Sequence, residues 1–309
     1  MESMPDLDPR VHAFRPDLAA ESLKGRVEAA RYAAGTPAQV ARGIADLRRA
    51  PGASAGLDSQ LLSREVVTVY DEADGWAWVQ NRTDGYVGYV EADALARDIH
   101  PPTHSVRVPR TFVYPEPDLK APPLDSLTMT GRVAVAGREG DFSAVHSGGG
   151  RAWVYRRHLA AEADIAPDYV ATALQFLGTP YLWGGKGSLG LDCSGLIQVA
   201  LARAGIACPR DTDMQAASLG AAVARAPGQS RPRRGDIVYF PGHVAIALDE
   251  TRVVSANAHA MMVSVEPLSD LEARVKVPGG GPGIAAVRRP VRSPAPLASA
   301  KPSAEPGAP

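Results

Sequence analysis

From Val40 to Leu95 the chain is written in short runs of alternating apolar and polar residues, VVTVY, GWAWVQ and GYVGYV. Gly, Asp and Asn at turn-like positions break them up, the pattern of a small antiparallel β-barrel. A second set of such runs, RTFVYPEP, GRVAVAGREGD, FSAVHS and RAWVYRRHL, follows the break at Pro101 and Pro102. The paired endings GYVGYVEADAL (85–95) and GRAWVYRRHL (150–159) read as a weak internal repeat, so two barrels in tandem are expected. Ahead of them, residues 1–37 form an arm with a helix-like stretch from about Leu18 to Tyr32, which places Leu23, Val27 and Ala30 on one face.

The pattern changes at Asp164. Pro167 is placed for a helix start, Gly178 for a stop, and Val170, Leu174 and Leu177 share a face between them. After the loop TPYLWGGKGSLGLD a second helix is predicted from about Cys193 to Ala204. Asp192 is its cap, Leu196, Ile197, Ala200 and Leu201 its buried stripe, and Gly205 its stop. Strands follow at 236–240, 243–249, 252–258, 261–266 and 283–289. Helices before an antiparallel sheet make an α+β domain. The resulting domain map is an arm (1–37), barrels at 38–100 and 101–162, the α+β domain at 163–290, and a Pro/Ala-rich tail (291–309) expected to be disordered.

Composition narrows the function classes. With 33 Lys plus Arg against 34 Asp plus Glu, the chain has no field to attract nucleic acid or an anionic membrane, so neither is expected as a partner. No apolar run approaches the roughly 20 residues of a membrane span. The start, MESMPDLDPR, lacks the features of a secretory signal, which gives cytoplasmic as the expected location. Two cysteines, Cys193 and Cys208, are too few for a disulfide framework or a Cys-rich zinc site. The other histidines show no metal-ligand spacing, and GGKG (184–187) lacks the ending of a phosphate loop, so no cofactor is expected.

Cys193 is the candidate nucleophile. The start of a helix carries partial positive charge and free N–H groups, which favour thiolate over thiol. The competing reading is a buried apolar cysteine. Its polar and small neighbours Asp192, Ser194 and Gly195 argue against that. A thiolate nucleophile needs a base, and the downstream candidates are His243, at a strand start after the turn FPG, and His259. Cys at a helix start with His at a strand start is a papain-like division of roles.

The strings YLWGG, DCSG, PRRGDIVYF and HVAIAL, in this order and spacing over about 165–290, closely resemble the NlpC/P60 cysteine peptidases. The preceding barrels resemble bacterial SH3 (SH3b) domains. The whole order resembles the γ-D-glutamyl-L-diamino acid endopeptidases of the dipeptidyl-peptidase VI type. The expected fold is therefore multidomain: two SH3-like barrels, then a papain-like α+β NlpC/P60 domain.

By this resemblance Cys193 attacks the amide between the γ-carboxyl of D-Glu and the diamino acid, His243 moves the protons, and the Cys193 N–H helps to hold the oxyanion. Tyr181 lines the oxyanion side. Trp183 is either a groove wall or core packing. Asp192 and Ser194 match residues that receive the amine of an N-terminal L-Ala, and Asp192 is equally a plain N-cap. Thr212 matches a small hydroxyl near the substrate, while Arg210 and Asp211 beside it either serve there or hold a loop. Glu65 and Tyr86 of the first barrel are candidate subsite walls, with surface charge and barrel core as alternatives.

In one respect the chain departs from the family. Where a third polar residue, usually His, is expected, RVVSANAHA places Ser255, with Asn257 and His259 on the same strand face about 7 Å further at each step. Three functions stay open on these residues: cleavage of short, free murein peptides in recycling, a non-catalytic murein-peptide binder, and an amidase or acyltransferase on the same Cys-His pair.

Overall fold

The computed structural model describes residues 7–147, 150–224, 232–275 and 283–291. The tail from 292 onward, expected to be disordered, lies outside them.

Among the described residues the arm holds no α-helix. Leu18–Ala20 pairs antiparallel with Phe14–Arg15 and parallel with Arg31–Ala33, joined by a 3-10 turn at Glu21–Leu23. The spacing of Leu23, Val27 and Ala30 satisfied a helical period, but strand pairing supplies the backbone hydrogen bonds that a helix would have made. The apolar residues are still used against a neighbour: Ala13, Leu18, Ala20 and Leu23 are buried against Trp78, with Val27, Tyr70 and Tyr89 around them.

The first barrel is a seven-stranded sheet in the order Leu95–Ala96, Thr36–Val40, Val66–Ala73, Trp76–Asn81, Val87–Glu91, Ile44–Arg48 and Leu57–Leu62. Its alternate residues Ala38, Val40, Leu47, Leu61, Val67, Val79 and Val90 fill the interior. Asp74 and Gly75, both left-handed (φ 51° and 79°), make the tight turn between two of its strands. Residues 104–161 form a second β unit. A five-stranded sheet and a three-stranded sheet enclose Val106, Val113, Leu127, Val133, Val145, Val154 and Leu159. Both units end alike, in a strand, a 3-10 turn and a short strand: Val87–Glu91, Ala92–Ala94 and Leu95–Ala96, then Gly150–Tyr155, Arg156–His158 and Leu159–Ala161.

In the third unit six strands run in the order Ala221–Ala222, Ala286–Arg289, Ile237–Phe240, His243–Ala247, Arg252–Asn257 and Met262–Pro267, all antiparallel. Strand side chains alternate between faces. Ile237, Tyr239, Val244, Ile246 and Val254 pack on Leu196, Ile197, Ala200 and Leu201 of the helix Cys193–Arg203. Val238, Phe240, Ala245, Ala247 and Val253 pack on Leu268 and Leu271 of the helix Leu268–Arg274. The first helix is Tyr169–Leu174, capped by Asp168, so that Pro167 precedes the helix instead of lying in its first turn, and Gly178 (φ 80°) ends the turns beyond it. The helices Thr212–Ser218 and Leu268–Arg274 were not expected. Asp236 is a buried fold residue, accepting from Arg289 at 2.8 and 2.9 Å. Among the described residues no helix is long and apolar enough to cross a membrane.

Candidate active site

The helix Cys193–Arg203 begins at Asp192, whose Oδ1 accepts the Gly195 N–H at 2.7 Å, an N-cap bond. This capped start holds Cys193 7% exposed against the sheet, where the backbone N–H groups of Val244 and Ser194 favour its thiolate. Since Val244 follows His243, helix start and strand start meet at the thiol. Burial and the Asp192 charge nevertheless push the Cys193 pKa up to about 12, against the help of those N–H groups and Arg210. Burial, assisted by the Arg274 charge, takes His243 down to about 4. Both groups therefore rest uncharged, one a thiol and the other an imidazole.

His243 Nε2 lies 3.3 Å from Ser255 Oγ on the neighbouring strand. Ser255 is fully buried. Of the three residues on that strand face it is the one that reaches the imidazole. Asn257 is occupied, donating to Ser264 Oγ at 2.9 Å and accepting the Ala260 N–H at 2.7 Å. His259 is exposed in the following turn. In the tautomer that donates its Nε2 proton to Ser255, the ring keeps Nδ1 as the free base.

A cleft of about 460 Å³ opens at Cys193, lined among others by Tyr181, Trp183, Asp192, Ser194 and Thr212 from the α+β unit and by Tyr86 and Asp58 from the first barrel. Tyr181 is raised to about 12 by burial and by the neighbouring Cys193 and Asp192, which places its phenol beside the thiol as a neutral donor. Trp183 is 66% exposed, a rim residue rather than core. Tyr86 satisfies both of its readings: its ring is in the barrel core, and its hydroxyl donates to Asp211 Oδ2 at 3.0 Å.

Asp192 is held more tightly than a cap alone requires. Arg210, 1% exposed, donates Nη1 to Asp192 Oδ1 at 3.0 Å and Nη2 to Oδ2 at 2.6 Å, and the Gly184 N–H adds a bond at 2.9 Å. Arg210 also donates to Ser194 Oγ at 2.8 Å and, across the domain boundary, to Ser59 Oγ at 3.0 Å. The loop therefore bends around one carboxylate. Gly184 fits it because its φ is +76° and a Cβ there would lie 2.8 Å from the Leu57 carbonyl oxygen.

Glu65 is not part of this cleft. It is buried with Lys186 Nζ at 3.4 Å, and Asp84 sits 3.4 Å from the same nitrogen, so the lysine of GGKG joins the α+β unit to the barrel. The reading of Glu65 as a subsite wall is thereby corrected. Position in sequence gave no sign that its side chain turns to the domain boundary.

Sequence reasoning missed Arg10 and Asp58 in the cleft and left the role of Asp211 open. Arg10 comes from the arm and bonds Asp8, Asp211 and Asp213, at 2.8 Å to Asp211. Burial raises the Asp211 carboxyl against the pull of Arg210, Tyr86 and Arg10. The only local signal for these groups was charge in the arm and the string RDTD. Among the described residues no group of three or more His, Cys, Asp or Glu side chains could hold a metal ion.

Residues 178–274 match the NlpC/P60 family, and residues 47–95 match the bacterial dipeptidyl-peptidase SH3 domain. Dipeptidyl-peptidase 6 of Lysinibacillus sphaericus is 28% identical over 205 residues, 65% of this chain and 70% of that protein. The gamma-D-glutamyl-L-lysine dipeptidyl-peptidase of Bacillus cereus is 25% identical over 241 residues, 69% and 71% of the two chains. An NlpC/P60 family protein from Bacillus cereus, 22% identical, has the same fold over 82% of this chain and 99% of its own, with a TM-score of 0.67. The chain thus joins an SH3 domain of the bacterial dipeptidyl-peptidase type to an NlpC/P60 cysteine peptidase domain.

Proposed function

We propose that the protein hydrolyses the γ-D-Glu–diamino acid bond of short murein peptides with a free N-terminal L-Ala, and that the unit at 104–161 is a second SH3-like barrel. The observation that carries the first reading is the cleft itself. The Cys193 thiol, at a helix start, lines a groove that the barrel partly walls with Asp58 and Tyr86 beside Asp211, Asp58 being paired with Arg49 and Asp211 with Arg10, while His243, next to Ser255, starts the strand whose following residue, Val244, packs with Cys193. A terminal ammonium received there shares these carboxylates with Arg10 and Arg49.

In the reaction His243 Nδ1 takes the Cys193 proton as sulfur attacks the γ-carbonyl carbon. The Cys193 N–H, which has no intrahelical acceptor, and the neutral Tyr181 phenol face the oxyanion. The tetrahedral intermediate collapses to a thioester, and the imidazolium gives its proton to the departing amine of the diamino acid. Water, deprotonated by His243, then attacks the thioester and releases L-Ala-γ-D-Glu with the thiol restored.

Asp192, saturated by Arg210 and backbone N–H groups, acts mainly by holding the Cys193 helix and presenting Ser194. Asp58, paired with Arg49, and Asp211, paired with Arg10, are the other cleft carboxylates offered to the ammonium, with Thr212, Trp183 and Tyr86 shaping the groove. Mass spectrometry of L-Ala-γ-D-Glu-meso-diaminopimelate tests the reading. Release of L-Ala-γ-D-Glu by the wild type, lost in Cys193→Ala and with an N-acetylated substrate, is expected. Cleavage of both substrates refutes the ammonium recognition. Binding without turnover favours a murein-peptide binder, for which the neutral resting thiol is the supporting observation. Cleavage at another amide, or transfer of the acyl group to an amine, points to an amidase or acyltransferase.

A further inference from the structure

A second cleft, of about 510 Å³, lies between the two β units and away from Cys193. From the first barrel it is lined by Arg64, Arg97 and His100, and from the second unit by His146 and Arg151. Its one acidic lining residue is Asp98, which is exposed.

Arg64 is 8% exposed, yet its side chain pairs with no carboxylate among the described residues. Nη1 donates to Gln39 Oε1 at 2.9 Å and Nη2 to the His146 carbonyl oxygen, both uncharged acceptors. Burying a guanidinium without a counter-ion is costly, and here it also comes with a left-handed backbone (φ 64°), rare outside Gly, Asn and Asp. Burial accordingly lowers the Arg64 pKa. The Arg151 side chain is exposed and makes no hydrogen bond or ion pair among the described residues, while its backbone sits in the strand opposite His146. Arg97 is partly neutralised by Glu72. The His100 and His146 rings stack at 4.3 Å, 10° from parallel, one from each unit. Gln39 fixes both flanks, since its carboxamide also bonds the His100 backbone N–H at 3.1 Å and carbonyl at 3.2 Å.

We propose that this cleft binds a small organic anion whose phosphate or carboxylate head is received by Arg64 and Arg151 beside the stacked imidazoles. Phosphate and carboxylate are both planar-fork partners of a guanidinium. At about 510 Å³ the cleft leaves room beyond the head for the body of the ligand. Bound there, it bridges the two units and ties them together.

Titration calorimetry on the full chain with inorganic phosphate and, separately, acetate tests this. Saturable binding of at least one anion below about 10 mM is expected, together with a rise in melting temperature. Because replacing the buried Arg64 would perturb the fold as well, Arg151→Glu is the deciding variant. It should weaken binding by about tenfold or more, Arg151→Lys should retain most of it, and peptide turnover should be unchanged in both. Preference for phosphate or for acetate identifies the head group. Failure of both anions to saturate, or equal binding by Arg151→Glu, overturns the proposal.

Discussion

Arg210 holds Asp192 in a two-pronged grip, at 2.6 and 3.0 Å, one residue before the candidate nucleophile. Through its bond to Ser59 it also fastens that grip to the first barrel. The pair therefore links three things that the sequence presents separately: a helix cap, a glycine loop and the wall of a neighbouring domain.

Removing Arg210 alone leaves Asp192 buried beside the thiol without its cation. Arg210→Met is expected to destabilise the protein by about 3–5 kcal/mol, the usual cost of breaking a buried ion pair from one side. Asp192→Asn keeps the cap acceptor but strands the guanidinium, and should cost a similar amount. The double variant should cost clearly less than the sum of the two. Denaturant unfolding of the four proteins measures this. Additive losses would mean that the two side chains act independently.

Ser255 offers His243 a neutral hydroxyl partner where a second imidazole or a carboxylate would hold the imidazolium more firmly. Ser255→Ala removes one hydrogen bond of about 1 kcal/mol, so kcat is expected to fall about fivefold to tenfold. KM should hardly change, because Ser255 is fully buried behind the histidine and is not a cleft residue. Steady-state kinetics on the free tripeptide separates the two constants. An unchanged kcat would remove Ser255 from the mechanism.

The parts of this site that were legible in the sequence are local. Asp192, the apolar stripe at 196, 197, 200 and 201, and Gly205 specify one helix within fifteen residues of chain, and so Cys193 could be placed at its start. The strand bearing His243 is equally local. The residues missed are those whose neighbours lie far along the chain. Arg10 and Asp58 enter the cleft from the arm and the barrel, and Glu65 turns to Lys186 instead of the cleft, 121 residues away. The arm misled for a related reason. Three apolar residues at helical spacing carry no information about the pairing of Leu18–Ala20 with Phe14–Arg15 and Arg31–Ala33, and that pairing decides the backbone. The helices Thr212–Ser218 and Leu268–Arg274 are only seven residues long, too short to repeat a face.

The last prediction concerns acid. His243 sits near pKa 4 in the folded protein because burial disfavours its charged form, against 6.5 for an ordinary histidine. In the unfolded chain it takes up a proton at about 6.5, so between these values the unfolded state binds more protons and stability falls as pH falls. The stability associated with the neutral ring is complete above pH 6.5 and lost by about pH 4, a change on the order of 3 kcal/mol. Calorimetry from pH 7 to 4 should show wild type losing more than His243→Gln by that amount. Catalysis follows the same group. The base is needed neutral, so kcat/KM should stay level from pH 7 to about 5 and fall only near 4. An acid limb centred near pH 6.5 would mean that the working base is a solvated histidine and not the half-buried His243 beside Ser255.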